Sequence, residues 1–295
     1  MSRVSNLLVA TLALGLPAAA IAQQNDIQVT PVEVTDGIYM LMAAGGNIGL
    51  SVGDDGAFII DDQFEPLHDK IVAAVRDAGG GDVRFVLNTH WHGDHTGGNR
   101  LMGEAGAMIV AHENVRRRMD PGTFTDVVGN TGQAPPIALP VVTFNDEVSF
   151  WWNGEQIHAT HVANAHTDGD TIVWFRDANV VHMGDNFFNG MLPFIDVDSG
   201  GGIDGMIAAS ELVLADANEM TKIIPGHGQL SGAAQLREFH GMLVTIRDRI
   251  QTHVDNGDSL EEIIAAEPIA EFADMATGWM PVERFLGLVH RSLTE

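Results

Sequence analysis

Three histidines and one aspartate stand within six residues, directly after a stretch that is typical of a buried strand. The strand is predicted over Val83–Asn88, and the cluster after it reads His90-Trp91-His92-Gly93-Asp94-His95. Because alternate residues of an extended chain point to the same side, His90 and His92 can converge on one ion. Asp94 and His95 lie beyond a glycine turn and can face a second ion. Imidazole suits zinc, and a neighbouring carboxylate can complete or bridge such a site. The fold must therefore bring further ligands to the end of this strand.

Candidate partners for this cluster lie at the ends of other predicted strands. Each is a His or an Asp near glycine, where the backbone can turn and leave the side chain accessible. They are His166 before the strand Thr171–Phe175, Asp185 after the strand Val180–Met183, and His227 after the strand Lys222–Ile224. We therefore predict that three separate strand ends meet the His90 cluster.

Strand patterns and helix patterns follow one another in two blocks along the chain. Strands are predicted at Ile38–Ala43, Ile48–Val52, Ala57–Asp61, Val83–Asn88 and Ala107–Ala111, and then at Val148–Trp152, Gln156–Val162, Thr171–Phe175, Val180–Met183 and Lys222–Ile224. Helices are predicted at Glu65–Ala78, Gly97–Gly103, Glu113–Met119, Ile203–Leu214, Ala233–Asn256, Leu260–Ala266 and Val282–Leu293. Residues 120–140 are rich in Pro, Gly, Thr and Asn and are predicted to form a surface loop. Two β layers covered by helices, which make a four-layer α/β sandwich, accommodate this order.

The order of the ligand residues resembles the signature of the metallo-β-lactamase superfamily. That signature is H-x-H-x-D-H followed by a separate His, an Asp and a final His, and the resemblance spans roughly residues 36–229. It implies that one metal is held by His90, His92 and His166, that the other is held by Asp94, His95 and His227, and that Asp185 bridges the two. It also implies that Asp61 contacts a ligand histidine on the side away from the metal and so orients its ring.

The resemblance implies a fold as well as a site. The superfamily fold is an αβ/βα sandwich with its metals at the edge between the two sheets, which agrees with the order of predicted elements. Residues 23–295 are expected to form a single domain. The residues after about 232 lie beyond the shared motifs and are expected to be terminal helices of that domain.

The first 22 residues have the pattern of a secretory signal peptide. Arg3 gives a positively charged start, Leu7–Leu16 an apolar stretch, and Ala20-Ile21-Ala22 a small-residue cleavage site. The apolar run is shorter than the roughly 20 residues needed to span a bilayer, so a retained membrane anchor is disfavoured. We expect a periplasmic or secreted protein that does not contact the membrane once residues 1–22 are removed.

The charge and the lack of cysteine exclude several partners and mechanisms. The 40 Asp and Glu residues outnumber the 15 Lys and Arg residues and give a formal charge of −25. Nucleic acid is therefore excluded as a partner, because cationic side chains supply the attraction to phosphates. Without cysteine the chain has no thiolate ligand, thiol nucleophile or disulfide. No obligate protein partner is evident, and the expected partner is a small-molecule substrate.

Two divalent cations allow a hydrolase to work without a side-chain nucleophile. Cations about 3.5–4 Å apart can share one water molecule and lower its pKa toward neutrality, which creates a bridging hydroxide. Asp94 is the predicted catalytic residue, because it is expected to orient that hydroxide and then carry its proton. We expect two zinc ions per chain, although iron and manganese also suit His and Asp ligands.

Within the superfamily, the sequence resembles the branches in which an Asp bridges two metals, namely the hydroxyacylglutathione hydrolases and the lactonases. Many zinc β-lactamases have Cys in place of Asp185 and Lys three residues later, where this chain has Phe188. The basic and tyrosine residues that grip glutathione, and the lactonase tyrosine, have no evident counterpart, since Tyr39 is the only tyrosine. The expected reaction is hydrolysis of an acyl bond in a lactone, ester, thioester or β-lactam.

Two other functions remain open at this point. One is a mononuclear iron oxidoreductase similar to the persulfide dioxygenases of the same superfamily, which hold iron with two His and one Asp. The other is a non-catalytic metal-binding module. Metal content and oxygen uptake distinguish the first from a hydrolase, and turnover of any chromogenic ester excludes the second.

The other histidines are expected to have structural roles. His158 and His161 lie three positions apart on one predicted strand, so they face opposite sides of it. His182 is expected in the core or in contact with a residue that binds the metal. The rest lie on helical stretches or at their edges and are expected at the surface or in packing: His68, His112, His240, His253 and His290.

Three further features lie beside the candidate ligands. Trp91 stands between two candidate ligands and can line a pocket. The apolar segment Phe187–Phe194 can form a wall of the same pocket or pack against the sheets. Asp168 and Asp170 are expected in a solvated turn rather than in contact with a residue that binds the metal.

Overall fold

The computed structural model describes residues 27–120 and 134–295. The predicted signal peptide (1–22) lies outside the described residues, and so does most of the predicted loop 120–140. Within the two described ranges, no helix combines the length and the apolar character needed to cross a bilayer.

The first half of the chain forms a seven-stranded sheet whose strands follow one another in sequence order. Its strands are β1 (Thr30–Thr35), β2 (Ile38–Met42), β3 (Ile48–Ser51), β4 (Ala57–Ile60), β5 (Val83–Asn88), β6 (Met108–His112) and β7 (Val142–Phe144). The pairs from β1 to β4 are antiparallel. The pairs from β4 to β7 are parallel, because a helix or a longer connection separates each strand from the next.

The second half forms a six-stranded sheet in the order β13-β12-β11-β10-β9-β8. Its strands are β8 (Glu147–Trp152), β9 (Glu155–His161), β10 (Thr171–Phe175), β11 (Val180–His182), β12 (Lys222–Ile224) and β13 (Ser231–Gly232). Only β11 and β12 pair in parallel; the other pairs are antiparallel.

Helices cover the outer face of each sheet. The helices of the first half are α1 (His68–Asp77), α2 (Gly93–Thr96), α3 (Asn99–Glu104) and α4 (Glu113–Met119). Those of the second half are α5 (Ile203–Asp216), α6 (Ala233–Asn256), α7 (Leu260–Ala265) and α8 (Val282–Thr294). Short 3₁₀ turns occur at Glu65–Leu67, Pro136–Ala138, Gly184–Asn186, Val197–Ser199 and Ala270–Met275.

Three of the apolar clusters among the described residues define four layers. One lies between the sheets and joins residues such as Phe58 of β4 to Phe175 of β10. A second packs α1, through Ile71, against the outer face of the first sheet. The third packs α5, α6 and α8 against the outer face of the second sheet, with Leu236 and Phe285 fully buried. The predicted αβ/βα sandwich is therefore confirmed.

The topology brings one end of several strands to a common edge. Because β4 and β5 are parallel, their carboxyl ends lie side by side, and the same holds for β11 and β12. The antiparallel strand β10 begins at that end of β11. Two backbone hydrogen bonds join the sheets there: Thr171 N–H donates to Thr89 O at 2.8 Å, and Asn47 N–H donates to Gly226 O at 2.7 Å. The residues that follow or precede these strand ends form the site.

The sequence patterns missed three strands, β1, β7 and β13. Each lies at a sheet edge, and β7 and β13 have only three and two residues, which is too few for an alternating pattern to be seen. The predicted His-rich loop is in part helical, since α2 starts directly after His92. Residues 138–140, at the end of the predicted surface loop, are buried.

Candidate metal centre

The backbone changes from extended to helical within the first cluster. His92 is still extended, with φ −64° and ψ 148°, and it caps the helical turn α2. His90 and His92 therefore keep the spacing of a strand, whereas Asp94 and His95 lie on the helical turn. This change of conformation is the reason that one short stretch of chain supplies side chains to two neighbouring positions.

Three imidazoles meet at the first position. The Nδ1 atom of His92 lies 3.1 Å from Nε2 of His90 and 2.9 Å from Nε2 of His166. The Oδ2 atom of Asp185 lies 3.6 Å from Nε2 of His166 and 3.9 Å from Nε2 of His90. These four side chains are buried, and their ligand atoms lie within 4.8 Å of one another.

The second position is formed by Asp94, His95 and His227. The Oδ2 atom of Asp94 lies 3.3 Å from Nε2 of His227 and 3.5 Å from Nε2 of His95. Asp185 reaches this position as well, because its Oδ1 lies 3.1 Å from Nε2 of His95 and its Oδ2 lies 3.4 Å from Nε2 of His227. The structure thus brings all seven predicted ligands together, with Asp185 between the two groups.

Each imidazole has an inner nitrogen, which lies in the cluster, and an outer nitrogen, which points away from it. The outer nitrogen of four of the histidines contacts a hydrogen-bond acceptor. Nδ1 of His90 lies 3.0 Å from Thr89 Oγ1, and Nδ1 of His166 lies 2.8 Å from the carbonyl oxygen of Phe194. Donation of the outer N–H fixes the tautomer and leaves the inner nitrogen with a lone pair. These contacts therefore fix the orientation of four of the five rings, so that the other nitrogen of each lies in the cluster.

The two remaining acceptors are carboxylates, from Asp61 and Asp196. Nδ1 of His95 lies 2.7 Å from Asp61 Oδ2, as expected for the predicted role of Asp61. Nε2 of His92 lies 2.9 Å from Asp196 Oδ2. Asp196 was not predicted, since it lies 104 positions from His92 and belongs to no pattern near a predicted ligand.

The turn after β4 is held in an uncommon conformation. Asp61 and Gln63 have φ values of 65° and 54°, in the left-handed region that costs a non-glycine residue about 1 kcal/mol or more. Side-chain contacts compensate for this cost. Asp61 accepts hydrogen bonds from Thr89 N–H at 2.7 Å and Thr89 Oγ1 at 2.8 Å, and Gln63 Oε1 accepts one from Gly45 N–H at 3.1 Å. The strain thus coincides with the segment that orients His95.

Burial keeps two of the imidazoles neutral. It lowers the pKa of His166 to about 4, and burial together with the neighbouring His95 holds the pKa of His90 well below its usual value. Neutral imidazole is the form of histidine that binds a metal. The inner nitrogens of these two residues are therefore available at neutral pH.

The second position concentrates negative charge. Burial opposes the ionisation of Asp94, but His95 and His227 outweigh it and lower the pKa of Asp94 to about 2. Burial likewise opposes protonation of His227, but Asp185 and Asp94 outweigh it and raise the pKa of His227 to about 9. Without a cation, two histidines here are protonated in order to balance the carboxylates, because the pKa of His95 is also raised, by Asp185, Asp94 and Asp61 against burial.

The donor set fits divalent cations. Nε2 of His95 and Oδ1 of Asp185 are buried and lie 3.1 Å apart, close enough for the charges to interact, but their orientation gives neither atom a hydrogen bond within the described part of the chain. An unsatisfied buried donor or acceptor is costly, and coordination of an ion satisfies both atoms. The backbone leaves no room for another side chain there, since a Cβ at Gly46 or Gly226 would collide with His95 or Asp185. The residues therefore form a His and Asp metal-binding cluster.

In the metal-free protein, we expect the free energy of unfolding to fall by on the order of 1–3 kcal/mol between about pH 6.5 and the raised pKa of His227, near 9. His227 and His95 bind protons in the folded chain that the unfolded chain releases near pH 6.5. The stabilisation from both residues is complete below that pH, and the part that His227 contributes is lost as the pH rises through about 9. Denaturant titrations of chelator-treated protein across this range measure the slope. If the free energy of unfolding of a His227→Gln variant fell equally steeply with pH, the assignment of this proton binding to His227 would be wrong.

Replacement of Asp196 by Asn should weaken metal binding at the His90, His92 and His166 position by about 10–100-fold. The amide cannot fix the His92 tautomer as the carboxylate does, and it carries no charge to raise the basicity of the ring. Competition with a chelator gives the two affinities, and circular dichroism checks the fold. An unchanged affinity at this position, in a folded variant, would show that the contact between Asp196 and His92 has no effect on the ligand.

The metal cluster forms the floor of a cavity of about 340 Å³. His92, Asp94, Asp185 and His227 are exposed to it, and its walls are apolar: Phe64, Phe188, Met191, Phe194 and Trp279, with Thr277 beside them. Part of the segment Phe187–Phe194 thus lines the cavity, which is one of the two interpretations that the sequence left open. Phe187 and Leu192, which do not line the cavity, are buried in the core under the helices.

Two side chains near the ligands differ from their predicted roles. Trp91 does not line the cavity; it is 3% exposed and packs with Val115 and Met119 of α4. Asp170 is not in a solvated turn, because it is buried and accepts hydrogen bonds from Thr167 N–H and Thr167 Oγ1 at 2.7 and 2.6 Å. Burial raises the pKa of Asp170 to about 7. Asp168 forms an ion pair with Arg118 at 2.7 Å.

Four of the other histidines have contacts that hold the structure around the site. His158 contacts Ser149 at 2.8 Å, and the ring of His161 stacks on that of His112 with their centroids 3.8 Å apart. His182 is buried; its Nε2 lies 2.9 Å from Asn47 O, and its Nδ1 accepts a hydrogen bond from Gly184 N–H at 3.1 Å. His182 therefore ties the turn that carries Asp185 to the opposite sheet.

The chain was compared with known proteins. A family model for the metallo-β-lactamase superfamily matches residues 43–227. A hydroxyacylglutathione hydrolase from Polaromonas sp. is 32% identical over 122 residues, which is 36% of this chain and 46% of that protein. The chain thus spans about half the length of the curated relative it matches.

Two solved structures share the fold. The crystal structure of DIM-1 metallo-β-lactamase aligns with a TM-score of 0.62 at 17% identity and covers 75% of this chain and 99% of that chain. A metallo-β-lactamase from Pontibacter korlensis aligns with a TM-score of 0.60 at 15% identity and covers 73% of this chain and 99% of that chain. At these identities the similarity establishes the fold alone.

Proposed function

The chain belongs to the metallo-β-lactamase superfamily. On that basis we propose that it is a hydrolase that uses two zinc ions to cleave an acyl bond in a small molecule. The bond is of the lactone, ester, thioester or β-lactam type. The observation that carries the proposal is the position of the His and Asp cluster at the floor of a cavity large enough for a small substrate. The name of the Polaromonas relative supports a hydrolase.

The chain itself would hold the ions and prepare the substrate. When bound, the metals supply Lewis acidity and a nucleophile from water at neutral pH, which suits a protein without cysteine. His90, His92 and His166 would hold one ion, Asp94, His95 and His227 the other, and Asp185 both. The apolar walls would exclude bulk water and strengthen the electrostatic interactions at the floor.

Asp94 is the proposed catalytic side chain. Its carboxylate is about 20% exposed, lies on the cavity floor and is 3.3 Å from His227. An ionised carboxylate in this place can accept a hydrogen bond from the attacking water, fix its orientation, and pass its proton to the leaving group. The pKa of Asp94, lowered to about 2 by His95 and His227 against burial, keeps this carboxylate ionised.

The cavity lining restricts the substrate. Of the described residues that line it, none is Lys or Arg, and its walls are mainly aromatic. A ligand with several negative charges, such as glutathione, would find no cation on these walls to pair with. We therefore propose an uncharged or weakly anionic acyl substrate.

Metal analysis of the purified protein, followed by a panel of lactones, thioesters, phosphoesters and β-lactams, tests the proposal. Two zinc ions per chain and turnover of an acyl substrate without oxygen uptake are expected. One iron per chain with sulfide-dependent oxygen uptake would establish an oxidoreductase instead. Full metal loading without turnover of any member of the panel would favour a binding module.

We also propose that the protein acts outside the cytoplasm, since residues 1–22 have the pattern of an export signal. The mass of the protein recovered from the periplasm or the medium should then correspond to a chain that starts at Gln23. Recovery of the whole chain from the cytoplasm alone would contradict export.

A further inference from the structure

One wall of the cavity comes from a part of the chain beyond the family match. The matched region ends at residue 227, whereas Thr277 and Trp279 precede helix α8 and still line the cavity over the metal cluster. This wall is thus a feature of this chain's C-terminal helices rather than of the matched region.

The segment Thr277–Met280 is firmly held. Met280 is fully buried in the core under the helices. Met280 N–H donates to Thr277 Oγ1 at 2.9 Å, and Thr277 N–H donates to Met280 O at 3.1 Å, so the segment closes on itself. The guanidinium of Arg284 donates to Trp279 O at 2.9 Å. These contacts fix the backbone that carries the tryptophan.

The indole ring of Trp279 is oriented although it is 53% exposed. Its centroid lies 5.5 Å from that of Phe194 in an edge-to-face arrangement. The guanidinium of Arg284 lies 5.1 Å from the centroid of Trp279 and 5.6 Å from that of Phe194. Such cation–π and aromatic contacts hold the ring in place, while much of its apolar surface remains open to a ligand.

The charges around the ring define what can bind there. The floor carries the carboxylates of Asp94 and Asp185, and the walls consist of Phe64, Phe188, Met191 and Phe194 together with Trp279. The cation of Arg284 is engaged with the two rings and a carbonyl oxygen. A charged group would lose its hydration on these walls without gaining a partner, whereas an apolar group gains contacts with several rings.

We propose that Trp279 is a specificity-determining residue that selects substrates with an uncharged apolar group, such as an aryl or branched alkyl chain, next to the reacting acyl bond. Arg284 is a positioning residue, because it acts through the ring and carbonyl of Trp279. This inference rests on the proposed hydrolase function, which it extends to a substrate class.

A pair of simple esters tests the selectivity of the metal-loaded protein. In a pH-stat assay, kcat/KM for methyl hydrocinnamate should exceed that for methyl acetate, and Trp279→Ala should reduce the ratio of the two values about tenfold, through a higher KM for methyl hydrocinnamate. Trp151→Ala is the matched control, since Trp151 is 75% exposed on the edge strand β8 and does not line the cavity. An unchanged ratio in Trp279→Ala would overturn the proposal.

Arg284 is tested by rescue. Arg284→Ala should raise KM for methyl hydrocinnamate more than it changes kcat, and Arg284→Lys should restore part of the loss, because lysine keeps the charge near the ring. Glu283→Ala, one position away on the exposed side of α8, is the control and should leave KM unchanged. An equal loss of kcat for both esters, without rescue by lysine, would indicate a merely structural role and overturn the positioning role.

Binding without turnover separates this inference from the hydrolase proposal. In heteronuclear spectra of the metal-loaded protein, hydrocinnamamide should shift the indole N–H signal of Trp279, which a Trp279→Phe variant identifies, and leave that of Trp151 in place. This result is expected even if no ester is hydrolysed, in which case only the reaction type would be wrong. Saturation of the protein with hydrocinnamamide without a shift at Trp279 would overturn the inference.

Discussion

Replacement of Asp94 by alanine should reduce kcat at least about a thousandfold while the protein stays folded. Asp94 lies on the helical turn α2 at the cavity floor, so its side chain is accessible and carries no part of the apolar core. The change removes the carboxylate that orients the attacking water and one candidate ligand of the second metal. His92→Ala should abolish turnover as well, through loss of an imidazole of the first position.

Turnover of the best substrate of the panel, with metal content measured in the same samples, provides the test. Circular dichroism and thermal unfolding check that the variants are folded. Asp54→Ala is a suitable control, because Asp54 is an exposed carboxylate between β3 and β4 and its loss should leave kcat unchanged. Retained activity in Asp94→Ala or in His92→Ala would remove the assignment of the first cluster.

The ligands were predictable because each one stands next to a recognisable strand end. A buried strand gives a clear apolar pattern, and a His or Asp near a glycine at the end of such a strand has few structural uses. The resemblance then supplied the pairing of distant segments, which no local pattern contains. All seven predicted ligands lie in the observed cluster for this reason.

The carboxylates that contact and orient the ligand histidines were only partly predictable. Asp61 follows a strand and matched a motif, whereas Asp196 is fixed by a 3₁₀ turn, where its side chain accepts a hydrogen bond from Ser199 N–H at 3.1 Å. The cavity wall at Trp279 depends on how the C-terminal helices dock, and an exposed tryptophan between helices gives no signal in the sequence. Such positions are set by tertiary packing, so they are visible only in the structure.

The burial of Asp170 is a second property that tertiary packing sets and that the sequence did not predict. A Thr-Asp-Gly-Asp sequence is typical of a solvated turn, because each of these residues favours turns. Here the turn packs against helix α4, where Asn114 Nδ2 donates to Asp168 O at 2.8 Å, and Thr167 satisfies both oxygens of the Asp170 carboxylate. The residue types predicted the turn correctly, but its burial depends on a helix that is distant in the sequence.

Replacement of Asp185 by asparagine should loosen the second metal far more than the first. The carboxylate lies 3.1 Å from His95 and 3.4 Å from His227, compared with 3.6 Å from His166 and 3.9 Å from His90. The first position keeps three imidazoles after the change, whereas the second keeps two imidazoles and Asp94. Asparagine preserves the size of the side chain and removes its charge, so the loss should be electrostatic rather than steric.

The expected size of the effect is about 100-fold or more in affinity at the second position and about tenfold or less at the first. Stepwise removal with a chelator, followed by metal analysis at each step, resolves the two affinities. Asp196→Asn is the matched control, because its carboxylate supports His92 and its replacement should weaken the first position instead. Two variants with opposite orders of metal loss would show that Asp185 acts mainly on the second ion. Equal loss of both ions in Asp185→Asn would mean that Asp185 supports both positions equally, against the distances that place it nearer the second.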